Sequence, residues 1–145
     1  MTGTEAKPQV LCDTRALAGV PPETAGVLWK LAEPGRQLDA NLVRLAPGGR
    51  VTTHSEPDLD VLLLVVCGDG VVGMGPADEP EQVAEGALLW LPHGSTRSIS
   101  AGEGGLTYFT VHRRRPGMQI RPRTEGSGGA PTLPPPGGRT SGDRP

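Results

Sequence analysis

Between residues 26 and 112, glycine and proline return too often for a long helix to form. They separate short segments rich in valine, leucine and threonine, and both residues interrupt helices and favour turns. The whole chain of 145 residues holds 22 glycines and 16 prolines but only four aromatic side chains: two Trp, one Tyr and one Phe. A core must therefore be built from branched aliphatic residues, which suit a pleated sheet better than a helical bundle. The length bounds the answer to one domain.

The segments read in order as strands. Residues 26–32 (GVLWKLA) and 38–46 (LDANLVRLA) flank the turn signal Pro34-Gly35, and Leu38, Ala40 and Leu42 alternate with Asp39 and Asn41. Pro47-Gly48-Gly49 turns the chain into residues 50–54 (RVTTH), which Pro57 stops. Residues 61–66 (VLLLVV) are apolar without alternation, the pattern of a strand covered on both faces. Turns are expected at 67–70, 75–80, 86, 92–94 and 102–105, with strands at 71–74, 81–85, 87–91, 97–100 and 106–112 between them. Eight to ten short strands at regular spacing point to an all-β sandwich or jelly-roll barrel.

The flanks differ from this middle. Residues 1–25 form an N-terminal extension of mixed character. From 116 to 145, 14 of 30 residues are glycine or proline and large apolar side chains are scarce. Such a tail buries too little to offset its ordering entropy, so disorder is expected. Residues 1–112 carry 14 acidic and 7 basic side chains, a balance of −7, and residues 113–145 carry 7 basic and 2 acidic, a balance of +5, which sum to −2. Arg113-Arg114-Arg115 reads as a solvated basic linker, and nucleic acid is not the expected partner. Cys12 and Cys67 lie far apart with no metal-ligand spacing. With no apolar leader and no run near the ~20 residues of a membrane helix, a cytoplasmic protein away from membranes is expected.

Two stretches carry a resemblance. The first cupin motif is G(x)5HxH(x)3-4E(x)6G. Gly48 and His54 fit it, Glu56 stands at the second His, Asp60 stands at the Glu, and the closing glycine comes one residue late at Gly68. The second motif is G(x)5PxG(x)2H(x)3N. Gly86, Pro92 and Gly94 fit, with Arg97 at the His and Ala101 at the Asn. The chain resembles a single-domain cupin over about residues 26–112. The resemblance implies a cupin-type jelly-roll β-barrel spanning 26–115, a homodimer and a central pocket. It also implies that only one of the four usual metal positions keeps its residue. Gly48, Gly68, Gly86 and Gly94 are expected at turns that need positive φ or close backbone approach.

The candidate pocket residues follow from these positions. His54 and Glu56 share a strand face. Together with Asp60, and with His112 as a substitute, they could hold a divalent ion such as Mn, Fe, Zn or Ni. Arg97 opposes this, because a guanidinium has no lone pair to donate. An ion-pair cluster of Glu56, Asp60 and Arg97 with His54 beside it is favoured, so that removing Arg97 unpairs a carboxylate and destabilises the fold. Arg44 shares a face with Leu42 and is expected to project into the barrel. His112 shares a face with Tyr108 and Thr110. His93, in the Pro-x-Gly turn, has no expected role.

Three functional readings follow. The first is a binding module for a small polar or anionic molecule, without a cofactor, which is favoured. The second is a metal-dependent enzyme of dioxygenase, isomerase or lyase type. The third is a metal-free isomerase or epimerase with His54 as general base.

Overall fold

The computed structural model describes residues 7–115. The tail expected to be disordered, 116–145, lies outside the described residues. Among the described residues one short helix, α1 (Thr14–Ala18), precedes seven strands. Asp13 caps it by accepting from the Arg15 and Ala16 N–H groups. The strands are β1 (Gly26–Lys30), β2 (Leu38–Leu45), β3 (Arg50–Ser55), β4 (Val61–Gly73), β5 (Glu81–Ala84), β6 (Leu88–Leu91) and β7 (Thr96–Arg113). All pairings are antiparallel.

Two long strands organise the barrel. The first part of β4 pairs with β6, and the late part of β7 pairs with β2, which carries β1 at its edge. Those segments form one face of the jelly roll, in the order β1-β2-β7-β4-β6. The second part of β4 pairs with β5, and the early part of β7 pairs with β3. They form the other face, in the order β3-β7-β4-β5. Fewer and longer strands result than the sequence suggested. The glycines at 67–70 and 102–105 bend the chain from one sheet into the other and do not reverse it. The β4–β7 register shifts there, between Val65 and Cys67 and again between Gly68 and Gly70. An extra residue accommodated at a glycine is a bulge, and bulges bend strands.

The core fills the space between the two faces. Val61, Leu63 and Val65 of β4, Val83 of β5, Leu91 of β6, and Ile99, Leu106 and Tyr108 of β7 form its buried centre. The expectation that residues 61–66 are covered on both faces does not hold. Leu62 and Leu64 point outward and stay 44% and 37% exposed, next to exposed Trp90 and Leu88 on β6. The run lacks alternation in chemistry but keeps it in space, as the pleat requires. Farther along the same outer face the cover improves. Trp29 of β1 stacks on Phe109 of β7 at 6.4 Å, and Leu42 between their strands is fully buried. Among the described residues no helix is long and apolar enough to cross a membrane.

Candidate functional site

The pocket lies between the two faces of the barrel and holds about 300 Å³. One wall is apolar, from Val61 and Leu63 of β4 and Leu91 of β6, and Val51 and Ile99 close it from the other sheet. Tyr108, Thr110 and His112 point into it from alternate positions of β7. His54 of β3 and Arg97 of β7 are paired directly across their strands, so both side chains face the same space. Glu56, just past β3, and Arg115, just past β7, complete the lining.

The two imidazoles and Glu56 have defined partners. His54 Nδ1 lies 3.0 Å from the Thr52 carbonyl, and His112 Nδ1 lies 2.7 Å from the Arg113 carbonyl. A carbonyl only accepts, so each Nδ1 carries the proton and Nε2 is left to a ligand. Glu56 is tied twice. Its Oε1 accepts from Arg115 at 2.5 Å and its Oε2 accepts from the Asp58 N–H at 3.0 Å. The hydrogen bond from Arg115 is the main reason its pKa falls below the ordinary glutamate value of 4.5, with the Asp58 N–H and the Arg97 charge adding to it. Tyr108 is shifted the other way, because burial disfavours the phenolate.

Arg97 is the unusual group. It is 5% exposed, and among the described residues its hydrogen bonds go only to Ser95, to Oγ at 3.1 Å and to the carbonyl at 3.4 Å. Among the described residues no carboxylate lies within ion-pair distance of it. Burial lowers its pKa, and the charge of Glu56 only partly opposes that. The expected Glu56–Asp60–Arg97 cluster is therefore not formed. Glu56 takes Arg115 instead, a residue that sequence reasoning placed in a solvated linker.

Asp60 and Arg44 lie outside the pocket. Asp60 immediately precedes inward-facing Val61, so the pleat turns it outward. There it accepts from the backbone N–H and Nδ1 of His93, at 2.9 and 2.8 Å. These bonds lower its pKa and give His93 the structural task of anchoring the Pro92-His93-Gly94 turn. Arg44 does share a face with Leu42, but that face is the outer one. It is buried beneath the N-terminal segment, where it donates to the Pro22 carbonyl at 3.0 Å and to Thr107 Oγ1 at 3.4 Å. Its partner across the sheet is Thr107, whereas Tyr108, the pocket residue, sits opposite Val43.

No family model matches the chain, and no curated protein matches it. Solved structures do. A cupin-2 domain protein from Shewanella frigidimarina aligns with a TM-score of 0.52 at 18% identity, covering 69% of this chain and 89% of that one. A double-stranded β-helix protein from Klebsiella pneumoniae aligns at 0.58 and 13% identity, over 73% of this chain and 90% of its own. The chain has the cupin fold. Bacillus subtilis oxalate decarboxylase, described for its Mn(II) centres, aligns at 0.50 and 24% identity, over 55% of this chain and 22% of that one.

The residues of this cupin barrel do not fit such a metal. The two imidazoles are oriented as ligands often are, with Nδ1 held by a carbonyl. A third donor is missing: among the described residues no three His, Cys, Asp or Glu side chains are grouped to hold an ion. Glu56 is already satisfied by Arg115 and Asp58. Arg97 puts a fixed positive charge in the same lining, which raises the cost of a divalent cation.

The Glu56–Arg115 tie makes a pH prediction. A depressed carboxylate pKa contributes stability that is present above the unfolded-state value and lost as pH falls through the folded value. Wild-type protein should therefore lose melting temperature as pH drops below the ordinary value of 4.5, and Glu56→Gln should show a flatter profile in that range. The difference should be small, because Arg115 is half exposed and the pair is screened. Parallel melts of the two proteins from neutral to acidic pH measure it, and identical slopes would count against the tie.

Proposed function

We propose that this cupin barrel is a binding module that holds a small anionic molecule in its pocket without a metal, with Arg97 as the group that takes the negative charge. The observation that supports this most is the environment of Arg97. A guanidinium removed from water and given only neutral partners is an unfinished interaction. An anionic ligand that accepts a forked pair of hydrogen bonds completes it. Tyr108 and Thr110 add hydroxyl groups, and the apolar wall accepts a hydrocarbon body. A concave, mostly apolar site with a few convergent polar groups is the usual form of a small-molecule pocket.

The experiment is a melting screen of the full chain against small carboxylates and inorganic phosphate, beside elemental analysis after incubation with Mn, Fe, Zn and Ni. A binder that engages only the folded state raises stability by about 2.7 kcal/mol at a hundred times its Kd. The reading expects a rise with an anion, absent in Arg97→Met, and no stoichiometric metal. Stoichiometric metal, or anion shifts that survive Arg97→Met, would count against it.

A second reading has one observation behind it. The Thr52 carbonyl fixes the proton of His54 on Nδ1 and leaves Nε2 basic. A ligand held by Arg97, directly across the strands, lies within the reach of that nitrogen, as a general base for metal-free isomerisation requires.

A further inference from the structure

We propose that the pocket selects a small monocarboxylate over a dicarboxylate, and that Glu56 sets this choice by neutralising Arg115. The proposal rests on the anion-binding reading of Arg97 and adds the charge of the ligand and the residue that determines it.

The argument is a count of charges and places. The lining carries three fixed charges: Arg97, Arg115 and Glu56. Glu56 is bound to Arg115 and lies beyond ion-pair distance of Arg97. Apart from the two imidazoles, the lining thus carries one surplus positive charge, and it sits on Arg97. The two cations also differ in depth. Arg97 is buried against β3 and β7, while the Arg115 side chain is 56% exposed. One carboxylate docked at Arg97 brings the pocket to neutrality. A second carboxylate on the same small molecule meets the apolar wall of Val61, Leu63 and Leu91, the uncharged hydroxyls of Tyr108 and Thr110, or the Glu56–Arg115 pair. The wall offers no hydrogen bond. At the pair, the incoming anion must displace Glu56, whose side chain is only 13% exposed and which would then lose its partner. Like charges brought together at a partly buried pair are disfavoured, and this is how binding sites reject a close relative of their ligand. The volume of about 300 Å³ is at the small end for ligand pockets.

Glu56 therefore acts as an internal substitute for a second ligand carboxylate. Removing its charge releases Arg115 and gives the pocket two cations.

Butyrate and succinate have the same chain length and differ in the second carboxylate, which makes them the probes. Their affinities for the full chain would be measured by calorimetry in mildly alkaline buffer, chosen to keep imidazoles uncharged. Wild-type protein should bind butyrate at least about tenfold tighter than succinate. In Glu56→Gln the preference should disappear or invert. Arg115→Gln, which leaves Glu56 its Asp58 N–H hydrogen bond, should weaken butyrate and leave succinate excluded. Equal or tighter binding of succinate by wild-type protein overturns the proposal while leaving the anion reading intact. A wild-type preference unchanged in both variants overturns the role of Glu56. Failure of both probes to bind wild-type protein overturns the selectivity and the anion reading together.

Discussion

Gly68→Ala should cost the barrel about 2–5 kcal/mol of stability. Gly68 has φ +86°, in the left-handed region that an L side chain enters only with strain of about 1–2 kcal/mol. A Cβ there would also fall onto the Gly105 carbonyl of β7, with the Leu106 backbone beside it. Those are backbone atoms at the bend where β4 and β7 pass together from one sheet to the other, so neither can rotate aside. A clash in a packed interior adds about 1–3 kcal/mol through displaced structure. The total is a large share of the ~5–15 kcal/mol that stabilises a typical domain. Gly86→Ala is the control. Its φ is also positive, at 94°, but a Cβ there meets nothing within 4 Å, so only the backbone strain is paid. Urea denaturation of both variants should place the Gly68→Ala midpoint well below that of Gly86→Ala. Equal midpoints would show that close approach of β4 and β7 does not limit this site.

That glycine also shows what the sequence could disclose. Gly48, Gly68, Gly86 and Gly94 all have positive φ, as their places between strands suggested, because turn chemistry is local and can be read from a few neighbours. Whether a glycine reverses the chain or only bends it is not local. It depends on whether the flanking segments find partners in two sheets, and so 67–70 and 102–105 read as turns in the sequence and prove to be bends. The facing of a strand is similarly tertiary. In β2, Ala40, Leu42 and Arg44 alternate correctly and are its most buried residues, yet their side is the outside of the barrel. Arg44 is covered there by the N-terminal segment through the Pro22 carbonyl, a segment whose pattern gave no sign of packing there, and Leu42 lies between Trp29 and Phe109. His54, Glu56, Arg97 and His112 reach one pocket because the cupin spacing and the strand period place them. The Glu56–Arg115 pair spans 59 positions, and no spacing rule connects its members.

Arg97→Met should leave the fold almost as stable as wild type and remove anion binding. Sequence reasoning expected the opposite for stability, since it gave Arg97 a carboxylate that would be orphaned. The geometry assigns that carboxylate to Arg115 and the Asp58 N–H, so deleting Arg97 strands no charge. What is lost is a pair of hydrogen bonds to Ser95, at 3.1 and 3.4 Å. What is removed with them is the desolvation cost of a cation that is only 5% exposed. Replacing buried ionic groups with apolar ones of similar volume is often neutral or stabilising, and methionine keeps much of the arginine stem against Ile99 and the neighbouring wall. For a bound carboxylate the balance is different. Losing its only unneutralised cationic partner should cost about 2–5 kcal/mol of affinity, more than about thirtyfold in Kd. Melting curves with and without a carboxylate separate the two effects. The variant alone should melt near or above wild type, and its ligand-induced rise should vanish. A sharp fall in the melting temperature of the unliganded variant would make Arg97 a structural cation. The positive charge in the pocket would then serve the barrel and not a ligand.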